Sequence, residues 1–146
     1  MKSLSNQRKN EKLLEPRNNN MTKDLQEEFK FLIAQQKSVC VVSLIGLLDD
    51  NATAKIQECQ EQLQTAGCHF LLLNFRDVIE IKPTTHRHLI QLQHSIRSIK
   101  GQAVRLCGVR PAWQVSLVEN GVIRKEEIVD NVRKALVELS TFEAEN

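Results

Sequence analysis

From residue 79 to residue 89 the chain reads IEIKPTTHRHL, a proline, two hydroxyls and four basic side chains set between two apolar runs. This stretch is either a reaction site or the joint where a strand becomes a helix. Pro83 favours the joint. Its ring fixes φ near the helical value and it lacks the N–H that a strand ladder needs, so it suits the first turn of a helix. Downstream, Leu89, Leu92, Ile96 and Ile99 make one apolar face before Gly101 offers a stop. Upstream, Cys68 to Phe75 (CHFLLLNF) is nearly continuous in apolar residues, the pattern of a strand covered on both faces.

The same arrangement recurs on either side. Val39 to Ile45 (VCVVSLI) is a buried-strand pattern that Gly46 is expected to end. Asp49, Asp50 and Asn51 supply helix caps, and Ile56, Cys59, Leu63 and Ala66 recur at helical spacing until Gly67. Further on, Ala103 to Cys107 predicts a strand, Gly108-Val109-Arg110-Pro111 a turn into a helix, and Val115 and Val118 an apolar face with Trp113 and Leu117 nearby. Asn120-Gly121 closes that helix. Val122-Ile123 is expected to add a short last strand, and Ile128, Val129, Val132, Leu136 and Leu139 a terminal helix. Before all of these, Phe29, Phe31 and Ile33 alternate with their neighbours and Gln35 to Ser38 makes a turn, which suggests a first hairpin; a helix through residues 22 to 36 also satisfies the spacing. Strands alternating with helices predict an α/β sandwich on a mostly parallel, mixed sheet of four to five strands with about four helices.

Composition limits the function. The 146 residues, 41% of them apolar, suffice for one core. Residues 1–25 are polar and are expected to be a disordered tail, residues 26–142 the domain and residues 143–146 a short C-terminal tail. Twenty Lys and Arg against eighteen Asp and Glu give a net charge of +2, without the concentrated positive field of a nucleic-acid binder. No apolar run approaches a membrane span, and residues 1–20 are polar throughout, without the apolar core of a secretion signal. Cys40, Cys59, Cys68 and Cys107 are scattered, three of them in apolar stretches, and read as reduced, buried thiols in a cytoplasmic protein. His86 and His88 lie two apart and so face different directions on a helix, and His94 stands at neither i+4 position, so no metal site is expected. Nor do serine, histidine and acid fall into a nucleophile elbow, which argues against an enzyme.

Three segments resemble the family of sulfate transporter and anti-sigma factor antagonist (STAS) domains. Leu44 to Asp49 (LIGLLD) looks like its G-x-L-D turn, and Leu73 to Val78 (LNFRDV) like its strand-end pattern (L/V)-D-(L/I)-(S/T)-G-V. The most specific segment, Ala103 to Val122 (AVRLCGVRPAWQVSLVENGV), is similar to the strand, G-(I/V)-R-P turn and helix of the stressosome branch. The resemblance spans about Gln26 to Leu139. It implies a cytoplasmic, non-catalytic regulator without cofactor or metal. Such a protein binds other STAS-domain proteins and an anti-sigma-type serine/threonine kinase, as an anti-sigma factor antagonist or a stressosome scaffold, in a homo- or hetero-oligomer.

The family's switch is a D-(S/T) pair at the start of the second helix, which falls here on Lys82-Pro83. Proline cannot accept a phosphoryl group. Thr84 and Thr85 are therefore the candidates for a displaced phosphosite, where a phosphate would meet the free N–H groups of a helix start. Lys82, His86, Arg87, Arg110 and Trp113 are the candidate contacts to a partner or an anion. The alternative function is a small anion- or nucleotide-binding module that uses the helix start at Lys82–Thr85, with Arg110 contributed from the neighbouring strand end.

Overall fold

The protein is described here by a computed structural model covering residues 28–145. Four strands, β1 (Lys30–Gln36), β2 (Val39–Leu48), β3 (Phe70–Ile81) and β4 (Ala103–Cys107), form one sheet in the order β1-β2-β3-β4. The first pair is antiparallel and the other two are parallel. Four helices accompany them: α1 (Thr53–Ala66), α2 (His86–Arg97), α3 (Pro111–Glu119) and α4 (Val132–Glu145). The mixed α/β sandwich expected from the alternation of patterns is the architecture observed.

Each face of the sheet carries its own core. Cys40, Val42 and Leu44 of β2 and Leu71, Leu73 and Phe75 of β3 point to the face covered by Ile56, Cys59 and Leu63 of α1, Leu89, Leu92 and Ile96 of α2, and Leu117 of α3. Val39, Phe70, Leu72 and Cys107 point to the other face, where Ala135 and Leu139 of α4 cover them. The alternation along β2 and β3 follows from the two-residue period of a strand. Because α4 covers only the β3–β4 side, Leu32 of β1 is 64% exposed on that face.

Five expectations are corrected. Gly46 does not end β2; it adopts φ 95° inside the strand beside a register shift, and β2 continues to Leu48. β3 does not stop at Phe75 but runs to Ile81, with two irregularities that keep it paired with β2. The alternative helix through 22–36 is excluded from Lys30 onward, where β1 lies; its first residues fall outside the described part, as does the N-terminal tail. Val122-Ile123 is no strand, because both N–H groups are taken by the Leu117 carbonyl at the end of α3. The terminal helix starts at Val132 rather than Ile128, which instead forms a single parallel bridge to Leu106, and it continues past 142 to Glu145. Of the expected apolar stripes, Ala66 is exposed, and Ile99 lies beyond the end of α2, 51% exposed.

The turns follow local chemistry. Asp49 Oδ1 accepts from the Asn51 N–H, opening the one-turn helix that leads into α1. Gly67 ends α1 in the left-handed conformation, its N–H bonded to the Gln64 carbonyl.

All four cysteines are free and buried. Burial pushes the Cys59 and Cys68 thiols up to about 12 and the Cys107 thiol up to about 11. In the unfolded chain a thiol ionises near 9, whereas the folded form holds these three protonated. Their contribution to stability is complete below that value and is lost as pH rises from about 9 towards 11 and 12. We expect the urea midpoint to fall steadily above pH 9, and a Cys59→Ala, Cys68→Ala, Cys107→Ala variant to lose most of that slope. A wild-type slope unchanged by the triple substitution would assign the effect to other groups.

Candidate functional site

The joint between β3 and α2 lies where the opening stretch places it. The Lys82 N–H donates to the Leu48 carbonyl at 2.7 Å, tying the end of β3 to the end of β2. Lys82 is extended, Pro83 follows as the first residue of a single 3-10 turn through Thr85, and α2 proper begins at His86. The helix thus starts three residues later than Pro83 alone suggests.

The two hydroxyls differ sharply. Thr85 is fully buried and its Oγ1 donates to the Lys82 carbonyl at 2.7 Å, closing the turn. Its hydroxyl is thus turned into the fold and away from solvent. Thr84 is exposed. So is Pro83, with no hydroxyl at all.

Pro83 and His86 share a cleft of about 390 Å³ with Trp113, Ser116 and Asn120 of the neighbouring α3 region. The turn and α3 thus form one continuous surface. Trp113 is half-buried, packed against the main core on one side, and its other side carries the Arg110 guanidinium 4.6 Å from the ring centroid. It serves core and surface together. On α3 the expected apolar face is met in part: Val118 packs partly buried against the main core beside the buried Leu117, whereas Val115 is 64% exposed. Arg87 is exposed on α2.

The cations expected to gather around an anion at this turn are otherwise engaged. Lys82 Nζ lies 3.4 Å from the Glu80 carboxylate, and Arg110 is stacked on Trp113. His86 and His88 diverge, as their two-residue spacing requires. Among the described residues no group of three or more His, Cys, Asp or Glu is placed to hold a metal.

Two features escaped the sequence reading. One is a mostly buried polar network behind the turn. Arg97 near the end of α2 grips Glu127 through both carboxylate oxygens, its Nε 2.9 Å from Oε2, and donates to Gln93 Oε1 at 2.9 Å. Gln93, fully buried, donates in turn to the Leu89 and Val122 carbonyls. No motif marks this pair, since its members stand thirty residues apart. The other is a cavity where the end of β4 meets the middle of β3, for which Gly108 was the available sign.

The comparisons agree with this architecture. The sequence model of the STAS domain family matches residues 30–135. The chain belongs to the STAS domain family. Among solved structures, an anti-sigma factor antagonist from Mycobacterium paratuberculosis superposes with a TM-score of 0.66 at 14% identity, covering 77% of this chain and 94% of that one. A variant of RsbS from Moorella thermoacetica gives 0.66 at 19% identity, with 79% and 98% covered. The Bacillus cell fate determinant SpoIIAA, in its phosphorylated form, gives 0.55 at 14% identity, with 76% and 99% covered. No curated protein matches the sequence. No helix of the described residues is long and apolar enough to cross a membrane.

Proposed function

We propose that this protein is a cytoplasmic, non-catalytic regulator of the anti-sigma factor antagonist or stressosome-scaffold kind, which binds STAS-domain proteins, a switch kinase of the anti-sigma type, or both. The surface made by Lys82–Arg87 and α3 is its contact face. The observation that carries this reading is the joint itself: an exposed turn at the start of α2, continuous with a cleft lined in part by Trp113. On the resemblance drawn from the sequence, Pro83 stands where the family places its phosphorylated hydroxyl. Membership of the STAS family and the likeness to anti-sigma factor antagonists support it. Oligomerisation with paralogues follows from the same likeness.

In this reading the usual phosphorylation switch is silent. Incubated with a cognate kinase and ATP, the natural chain takes up less than a tenth of a phosphate per molecule, by the absence of an acceptor at 83. Lys82→Asp with Pro83→Ser restores the acceptor pair and takes up close to one, since both residues are accommodated at a helix start. Intact-mass spectrometry reads both. Stoichiometric phosphorylation of the natural chain at Thr84 would replace the silent switch by a displaced one, and failure of both chains to bind kinase or STAS paralogues from the native extract would overturn the regulator itself.

A further inference from the structure

At the opposite side of β3 from the turn, the strand bulges. Ser43 of β2 pairs with Asn74 but Ile45 pairs with Asp77, so one extra residue of β3 is left over around Arg76. Bulges of this kind re-aim side chains at strand ends. Asn74 Oδ1 accepts from the Arg76 N–H at 3.0 Å and from the Cys107 thiol at 3.6 Å, which fixes the orientation of the amide. Its Nδ2 donates to nothing among the described residues, although Asn74 is only 8% exposed. That free donor borders a cavity of about 450 Å³, closed by Gly108 at the end of β4 and by Val132 and Arg133 at the start of α4.

We propose that this cavity binds an oxyanion, a phosphate either free or esterified on a small molecule. Two kinds of donor border it, the Asn74 amide and the opening N–H groups of the fourteen-residue α4, with Arg133 and Arg76 on the lining; the Arg76 guanidinium lies 3.5 Å from the Asp77 carboxylate, an exposed pair that an oxyanion would have to draw it from. Asn131 Oδ1 occupies the Lys134 N–H. The Val132 and Arg133 N–H groups have no backbone partner among the described residues. The acid at the rim, Asp130, is held by Lys134 at 2.7 Å, which keeps its carboxyl below the ordinary range and offsets its charge. Gly108 is the residue that lets the end of β4 approach the bulged middle of β3 closely enough to make the floor: a Cβ there would stand 2.5 Å from the Arg76 nitrogen. This site is separate from the contact turn and does not depend on the regulatory role.

The test titrates the full-length, nitrogen-15-labelled chain with inorganic phosphate at constant ionic strength, chloride serving as the reference anion. Saturable shifts are expected at the amides of Arg76, Gly108, Val132 and Arg133. Arg133→Glu and Arg76→Glu, both at exposed positions, are each expected to weaken binding at least tenfold with the melting temperature unchanged. A nucleoside monophosphate that binds more tightly than phosphate identifies an esterified ligand, and one that binds equally or less tightly identifies the free ion. Absence of saturation, shifts centred on Lys82–Thr85, or binding undiminished in both variants would overturn the proposal.

Discussion

Replacing Arg97 by alanine is expected to destabilise the protein by about 3–5 kcal/mol, because it leaves Glu127 charged and without its partner in a site from which water is nearly excluded. Arg97 and Glu127 side chains are 15% and 9% exposed, so solvent cannot substitute for the lost fork. The same change frees Gln93 Oε1, adding an unsatisfied acceptor behind α2. Replacing both partners, as Arg97→Met with Glu127→Leu, removes the stranded charge and should recover more than half of the loss, the pattern that distinguishes an interrupted ion pair from a lost packing contact. Urea denaturation of the natural chain, Arg97→Ala and the double variant makes the comparison. A loss below about 1 kcal/mol for Arg97→Ala would mean that the Val122–Val129 segment is held by its apolar contacts and by the Ile128 bridge instead.

Gly108→Ala is expected to cost about 2–4 kcal/mol. The residue has φ 74°, where an L side chain is strained by roughly 1–2 kcal/mol, and the added methyl would stand 2.5 Å from the Arg76 nitrogen and 2.9 Å from its Cα. Both atoms are backbone of Arg76, held within β3 by the paired residues on either side of the bulge, so neither yields cheaply. Gly121 gives the control, for it has nearly the same φ, 73°, with nothing within 4 Å of its would-be Cβ. Gly121→Ala therefore shows the conformational cost alone, about 1–2 kcal/mol. Equal losses at the two sites would show that the strands separate freely at Gly108.

What the sequence revealed and what it hid divide along a physical line. The parallel strands were legible because each is buried on both faces and so reads as an apolar run, and the helix starts because Pro83, Pro111 and the Asp49 cap act locally. Val122-Ile123 misled because an apolar pair has no way of showing that its N–H groups are already taken by the Leu117 carbonyl. Thr84 and Thr85 looked alike in sequence, yet one hydroxyl closes a turn and the other faces solvent, a distinction that arises only from the register of the 3-10 turn. The bond between Arg97 and Glu127 and the cavity beside Asn74 join distant segments, and spacing along the chain carries no trace of either.

The strand order has one more consequence, which concerns handedness. The connections β2-α1-β3 and β3-α2-β4 step across the sheet in the same direction, and since crossovers between parallel strands are right-handed, both helices must fall on one side. Continuing beyond β4, α3 stays on that side, as the burial of Leu117 among α1 and α2 residues shows. The second side can be covered only by chain that has passed around the outer border of β4. Residues 120–131 make that passage: they bridge to β4 at Leu106 and are clasped from behind by Arg97. The polar clasp is thus a by-product of chirality, set where the polypeptide must change sides before its last helix can close the sandwich.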